Sequence, residues 1–353
     1  MGIPYFSLAP GLNVSKLCLG TMTFGQQNCF QESCELLDRA SAAGINFIDA
    51  AEMYPVPQHP NTQGKTEEYI GRWLRIRKLP RDHFVLATKV TGPSGQMTWI
   101  RDGPKSLDAY NIEEAIDNSL LRLGTDYIDL YQIHWPDRYV PMFGETEYDP
   151  TQQYAAVPIE EQLEALGRAF NAGKIRYVGV SNETPYGVME FCRLAQLVPH
   201  YPRIVSIQNV YNLLCRNFDA GLAECCHHER VRLLAYSPLA MGLLSGKYFA
   251  ADGGPVDARF NVFKGRYAEG ESRYSLSKNS VIAAIKATFV LRHPLVGSVI
   301  FGATKPWQLR EVLDAYNFPL TTQIFCIPDV GSWQGLFLTI NELLTFVVVG
   351  HDL

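Results

Sequence analysis

Residues 17–25 read LCLGTMTFG, an apolar run followed by two glycines. Such a run is typical of a buried strand. A doubly wound sheet that binds a dinucleotide would carry the spacing G-x-G-x-x-G directly after its first strand, and this stretch lacks that spacing. The sequence therefore argues against an open sheet of that type, and the number of strands that follow becomes the next question.

Seven further apolar or β-branched runs follow, which makes eight candidate strands: INFIDAA from Ile45, FVLATKV from Phe84, IDLYQIHW from Ile128, IRYVGVSN from Ile175, IVSIQN from Ile204, RLLAYSPL from Arg232 and LVGSVIFGA from Leu295. Helical periodicity alternates with them, as at Ile112, Ala115, Ile116, Leu120 and Leu123, and at Ile159, Leu163, Leu166 and Phe170. Eight such units in about 300 residues predict an α/β fold, an eight-stranded parallel β/α (TIM) barrel. We expect one domain over residues 1–320.

Two segments outside the eight units bear on the site. Residues 5–17, YFSLAPGLNVSKL, predict an N-terminal hairpin turning at Pro10, Gly11 and Asn13, which would plug the N-terminal mouth of the barrel. Long connections at 91–110, 136–157 and 248–277 follow strands, so they are expected on the C-terminal face where barrel enzymes build their sites. The third has the composition of a mobile flap over a ligand.

The composition excludes several classes of partner. The 353 residues carry a formal net charge of -5, which leaves no basic excess for nucleic acid. The apolar stretch 336–349 is shorter than the roughly 20 residues that span a bilayer, and no secretion signal or lipid anchor is indicated. The eight scattered cysteines form no C-x-x-C pair and predict reduced thiols in the cytoplasm. A small molecule is the expected partner, and the oligomeric state is left open.

Four ionisable or hydrogen-bonding side chains are expected to converge at one rim of the barrel. Asp49 and Tyr54 end the second predicted strand, Lys89 ends the third and His134 ends the fourth. Each alone also has a structural explanation: a helix cap, rim packing, a solvated charge, or a hydrogen-bonded histidine. Their convergence is what points to function.

Together the four groups are suited to donating a proton. A tyrosine has a pKa of about 10 in water and is a poor acid unless a nearby cation favours its phenolate. Lys89 would supply that cation and Asp49 would hold it, while His134 would orient a substrate carbonyl oxygen. Reduction then needs a hydride donor. With no metal, flavin or Rossmann signature in the chain, a nicotinamide along the rim is what remains.

The motifs INFIDAAEMY, the lysine of ATKV, YQIHW, VGVSN, IQNVYN, AYSPLAMGLLSGKY and VIFGATKPWQL resemble the ordered motifs of the aldo-keto reductase superfamily. They resemble in particular the extended-loop branch that also contains the potassium-channel β subunits, and they extend from Leu17 to about Tyr316. The resemblance implies that Asp49, Tyr54, Lys89 and His134 are the catalytic tetrad of an NADPH-dependent reductase of aldehydes or ketones.

The resemblance also implies a set of cofactor-binding residues. Those implied at the nicotinamide are Ser181, Asn182, Gln208 and Tyr236, with Gly20, Thr21 and Met22 on the pocket floor; those at the pyrophosphate are Ser237, Leu239, Gly242 and Lys247; those at the adenosine are Gly302, Ala303, Thr304, Lys305, Gln308 and Glu311. Lys305 or Arg310 would hold the 2′-phosphate of NADPH. The family usually has asparagine where Val312 stands, so one adenine hydrogen bond is in question.

Two features depart from the family. About 15 to 20 residues of a helix pair are absent at the junction of Lys286 and Ala287, and residues 321–353 form an atypical C-terminal tail. An altered splice or a gene-model error would explain both features, and the alternative for the tail is a genuine C-terminal helix that packs on the barrel or on a partner.

Three functions therefore stay open: a soluble carbonyl reductase, a non-turnover nicotinamide-nucleotide sensor or auxiliary subunit, and a folding-defective product. The intact tetrad favours the first. The substrate itself is not readable from the loops.

Overall fold

The computed structural model of the chain describes residues 3–103, 106–142, 145, 147–249, 253–263, 290 and 293–316. The predicted junction at 286–287, the C-terminal tail at 321–353 and most of the third long connection lie outside the described residues. Within the described part no helix is long and apolar enough to cross a membrane.

The strands, in chain order, are β1 (Tyr5–Ala9), β2 (Leu12–Ser15), β3 (Leu17–Gly20), β4 (Phe47–Asp49), β5 (Val85–Val90), β6 (Ile128–Ile133), β7 (Ile175–Ser181), β8 (Ile204–Val210), β9 (Arg232–Tyr236) and β10 (Val296–Gly302). The helices are α1 (Phe30–Ala42), α2 (Lys65–Arg77), α3 (Ala109–Leu123), α4 (Ile159–Asn171), α5 (Pro185–Leu197), α6 (Ala223–His228), α7 (Arg259–Val262) and α8 (Pro306–Tyr316). Short helical turns lie at Arg81–His83, Ile100–Asp102, Pro150–Gln152, Phe218–Leu222, Ala240–Ser245 and Lys247–Phe249.

Strands β3 to β10 close into a parallel barrel, in which β10 pairs with both β9 and β3. Each of the eight predicted runs contains one of these strands, so the predicted β/α barrel is confirmed. At the closing seam Gly302 pairs with Gly20. A Cβ at Gly20 would lie 2.9 Å from Ile300 Cγ2, so the close approach of the two strands requires glycine there.

The helices cover the barrel with the faces that their periodicity predicts. In α3, Asp108 caps the first turn by accepting a hydrogen bond from the Asn111 N–H at 2.8 Å, and Ile112 and Ile116 are fully buried. In α4 the predicted face is buried except at its end, where Phe170 in the last turn is 45 % exposed. Burying these apolar faces is the main driving force for the layer of helices.

The predicted N-terminal hairpin is confirmed, and β1 and β2 pair antiparallel. Its Leu8, Leu12 and Val14 are buried in one cluster with side chains of the barrel strands, including Phe47 and Leu130. The turn occupies Pro10 and Gly11, whereas Asn13 lies in β2 and not in the turn as predicted. The hairpin thus closes the barrel end opposite the strand termini that carry the site.

Candidate active site

Three of the four predicted site residues lie where parallel strands end at one rim. Asp49 is the last residue of β4, Lys89 is the next to last of β5 and His134 follows β6 directly. Tyr54 does not end a strand as predicted: it lies in the loop after β4, where its N–H donates to Ala51 O at 3.0 Å. A turn after the strand is needed because the ring must reach back over the barrel mouth.

Asp49 and Lys89 form a fully enclosed ion pair. Lys89 Nζ lies 2.7 Å from Asp49 Oδ2 and donates a second hydrogen bond to Ala50 O at 2.7 Å. The other carboxylate oxygen, Asp49 Oδ1, accepts from the side-chain amides of Gln132 at 3.2 Å and Gln208 at 2.8 Å. Both partners of the buried pair therefore have their polar atoms hydrogen-bonded inside the barrel.

Tyr54 stands above this pair. Lys89 Nζ lies 5.0 Å from the centroid of the Tyr54 ring, and the His134 ring packs edge-on against the same ring with centroids 5.6 Å apart. The ammonium and the imidazole therefore both border the phenol ring. The geometry brings the four predicted residues together.

His134 is neutral at physiological pH. Burial, and secondarily the charge of Lys89, holds the pKa of its imidazole well below the usual value. The backbone N–H of His134 donates to Val90 O at 3.0 Å, but its buried Nδ1 has no hydrogen-bond partner in the part of the chain that the structure describes. The sequence left open whether His134 is a structural histidine with a hydrogen-bond partner in the protein. An unsatisfied buried ring nitrogen beside a tyrosine is instead typical of a site that a ligand completes.

An apolar cluster borders Tyr54 on the side of the long loops. Its members come from the loops after β4, β5 and β6, and they are Ala51, Met53, Val56, Met97, Ile100 and Trp135, with Met22, Trp99 and Met142 partly buried against them. Two cations of these loops are paired with carboxylates, Arg101 with Glu52 and Arg138 with Glu183. On this side, away from Lys89 and His134, the surroundings of the Tyr54 ring are therefore apolar.

The residues implied at the nicotinamide form one hydrogen-bonded group at the ends of β7, β8 and β9. Ser181 Oγ donates to Gln208 O at 2.7 Å, Asn182 Nδ2 donates to His134 O at 2.9 Å, and Tyr236 OH donates to Asn182 Oδ1 at 2.7 Å. Gln208 Nε2 also donates to Gln132 Oε1 at 3.2 Å. Both protons of the Gln208 side-chain amide are thereby used, to Asp49 and to Gln132. The side-chain carbonyl oxygen, Oε1, is left to accept a hydrogen bond.

The predicted floor lies beside this group. Thr21 is fully buried, and both its N–H and its hydroxyl donate to Asp49 O, at 3.0 and 2.8 Å. Met22 holds the Tyr54 loop, because its carbonyl accepts the Val56 N–H at 2.9 Å. The floor residues that follow Gly20 thus support the tetrad through backbone contacts.

The residues implied at the pyrophosphate follow β9 in a strained loop. Ser237 has a φ of 54° and Gly242 a φ of 100°, and Leu239 lies between them. Burial, and then the charge of Arg259, lowers the pKa of the Lys247 ammonium. A Cβ at Gly242 would lie 3.2 Å from Lys247 Nζ, so the lysine lies against this loop and gives it a cation suited to an anion.

The predicted adenosine segment extends from the last residue of β10 into the first turns of α8. Gln308 Oε1 accepts from the Thr304 N–H at 2.7 Å and from the Lys305 N–H at 3.2 Å, so it caps the helix. Lys305 Nζ lies 3.6 Å from Glu32 Oε1, and Glu311 contributes to the electrostatics of Lys247. The remaining predicted residues of the segment are Gly302, which is exposed at the end of β10, and Ala303, which is buried.

Two contributions to the site were not assigned from the sequence. Gln132 hydrogen-bonds both Asp49 and Gln208. The sequence feature that could have indicated it is its position two residues before His134, because residues two apart along a strand face the same side. The Glu52–Arg101 pair had no sequence signal, because its partners lie in separate loops. No group of three or more potential metal ligands occurs in the described part of the chain.

Comparison with known proteins places the chain in a family. The model of the aldo/keto reductase family matches residues 16–327. The chain belongs to the aldo/keto reductase family. Protein tas of Escherichia coli (strain K12) is 44% identical over 332 residues, which cover 91% of this chain and 94% of that protein.

Two relatives of lower identity also match most of the chain. The protein named "Uncharacterized oxidoreductase YrpG" of Bacillus subtilis (strain 168) is 31% identical over 89% of this chain and 91% of its own length. The protein named "Probable voltage-gated potassium channel subunit beta" of Oryza sativa subsp. japonica is 30% identical over 88% of this chain and 90% of its own length. The aldo/keto reductase family is one of oxidoreductases that generally use a nicotinamide cofactor, and this reductase shares that oxidoreductase role.

Proposed function

We propose that this aldo/keto reductase is an NADPH-dependent enzyme that reduces aldehyde or ketone carbonyls to alcohols, with Tyr54 as the proton donor. The observation that carries the proposal is the wholly buried Lys89 ammonium, paired with Asp49 and 5.0 Å from the Tyr54 ring centroid. Burying a cation beside a tyrosine costs desolvation, and proton transfer from the phenol gives that arrangement a purpose.

The other groups have complementary roles in this proposal. His134, neutral and with an Nδ1 that has no partner among the described residues, hydrogen-bonds the substrate carbonyl oxygen and holds it within reach of the Tyr54 hydroxyl. Asp49 keeps the Lys89 charge in place. The apolar cluster beside Tyr54 excludes water, which strengthens each electrostatic interaction in the site.

The chemistry of the donor set fits a nicotinamide cofactor, which supplies the hydride when bound. Gln208 offers its side-chain carbonyl oxygen and Asn182 the second lone pair of its Oδ1 to the N–H groups of a carboxamide, and Tyr236 offers a ring for stacking. Ser237, Leu239, Gly242 and Lys247 would hold the pyrophosphate. Lys305 or Arg310 would select the 2′-phosphate.

Tyr54→Phe tests the proposal, because it removes the hydroxyl and keeps the ring. A positioned acid is worth about 10²–10⁴-fold, so carbonyl reduction should fall by that factor while NADPH affinity, measured by fluorescence titration, stays nearly unchanged. Turnover within about threefold of the wild type would contradict Tyr54 as donor. NADPH binding by the wild type without turnover on a broad panel of aldehydes and ketones would favour the nucleotide sensor instead.

A further inference from the structure

Glu52 and Arg101 form a buried ion pair beneath the loop that follows β5. Glu52 lies two residues before Tyr54, and Arg101 lies in the helical turn Ile100–Asp102. Their side chains are 1% and 2% exposed, and Arg101 Nη1 donates to Glu52 Oε1. Because desolvation of two charges commonly offsets their attraction, such a pair is a weak explanation of stability. Its position between two loops of the site indicates a different role.

The pair clamps the end of the strand that carries Lys89. Thr91 follows β5 directly; its N–H donates to Glu52 Oε2 at 2.8 Å, and its carbonyl accepts from Arg101 Nη2 at 3.0 Å. Arg101 Nε donates to Asn111 Oδ1 in α3 at 2.9 Å. One guanidinium thus joins the Tyr54 loop, the end of β5 and the start of α3.

The backbone around Arg101 requires such fixing. Arg101 has a φ of 47° and Asp102 a φ of 53°, a left-handed backbone conformation that residues other than glycine rarely adopt. Strained residues of this kind persist only where the surrounding contacts determine them. The neighbouring Ile100 and Met97 are 2% and 4% exposed and belong to the apolar cluster beside Tyr54. The strained turn therefore carries part of the wall of the site.

We propose that Glu52 and Arg101 are positioning residues whose ion pair holds residues 92–103 against the Tyr54 loop and so shapes the apolar wall on which a carbonyl substrate packs. The kinetic consequence rests on the proposed function, whereas the effect on the loop does not. Losing the pair frees the loop and weakens substrate binding, while Asp49 and Lys89 stay in place.

Arg101→Met, which keeps much of the side-chain volume, tests the role against a matched control. The control is Arg122→Met, because Arg122 makes another largely buried ion pair, with its Nε 2.6 Å from Glu67 Oε2, that joins α3 to α2. Each variant is measured in three ways: hydrogen–deuterium exchange of the segment 92–103, KM and kcat for 4-nitrobenzaldehyde with NADPH, and the dissociation constant of NADPH.

For Arg101→Met we expect exchange of the segment to quicken about tenfold or more, because the loop opens locally. KM should rise about tenfold with kcat within about threefold and NADPH affinity unchanged, which is the signature of lost substrate binding. For Arg101→Lys we expect an exchange rate and a KM between those of the wild type and Arg101→Met, since lysine keeps the charge but not the fork that reaches Thr91 and Asn111. Arg122→Met should keep the wild-type exchange in this segment and the wild-type KM.

The outcomes separate the two proposals. A wild type that reduces no carbonyl contradicts the proposed function, and the exchange measurement still decides the role of the pair. Wild-type exchange and KM in Arg101→Met overturn the inference, as do equal changes in Arg101→Met and Arg122→Met, which would mean a general loss of stability. If Arg101→Met does not fold, Glu52→Gln, which retains the shape of the side chain, is judged by the same comparison.

Discussion

Lys89→Met should destabilise the protein and abolish its chemistry together. The change removes the ammonium 2.7 Å from Asp49 Oδ2 and leaves the Asp49 carboxylate 2% exposed, with the Gln132 and Gln208 amides on its other oxygen. Removing one partner of a buried ion pair costs ~3–5 kcal/mol. The two remaining amide donors place this case toward the lower end. In a chain of this length the loss corresponds to a fall in Tm of about 4–7 °C.

The activity of the same variant should fall about 10²–10⁴-fold, because Tyr54 loses the cation that favours its phenolate. Asp49→Asn combined with Lys89→Met removes both charges. This double variant should regain Tm to within about 2 °C of the wild type, since no uncompensated charge stays buried, but its turnover should remain low. Calorimetry measures Tm, and NADPH absorbance measures turnover.

Two results would refute this reasoning. Turnover of Lys89→Met within about threefold of the wild type would exclude Lys89 from proton donation. A double variant that melts no higher than Lys89→Met would show that the stability loss does not come from the unpaired Asp49 carboxylate.

The remaining predictions concern the cofactor and pH. Replacing both Lys305 and Arg310 by alanine should weaken NADPH binding but not NADH binding, because each charge-assisted contact to the 2′-phosphate contributes about 1.5–3 kcal/mol; fluorescence titration with both nucleotides measures this, and equal losses would mean general disruption. His134 should make folding less stable in acid. Since burial lowers its folded pKa, the unfolded chain binds the proton more readily below pH ~6.5, and stability falls there by up to ~1.4 kcal/mol per pH unit. His134→Gln should flatten this slope in denaturant titrations between pH 7.5 and 5.5, and an unchanged slope would contradict it.

The sequence alone determined the architecture of this aldo/keto reductase. Strand and helix runs are local patterns, and eight of them in alternation led to the closed barrel that the structure has. The strand-end positions of Asp49, Lys89 and His134 followed as well, because parallel strands of a barrel end at one rim. The ordered motifs, which lie on consecutive strands, predicted the family by resemblance.

The tertiary structure alone decided which polar atoms meet. Gln132 and Gln208 share one oxygen of Asp49, and His134 has a ring nitrogen without a hydrogen-bond partner among the described residues, which the sequence did not decide. The ion pair of Glu52 with Arg101 joins loops that no periodicity connects. Hydrogen bonds and buried ion pairs depend on distances that are set to within a few tenths of an ångström between side chains far apart in the chain, and only the packing of the barrel and its loops sets those distances.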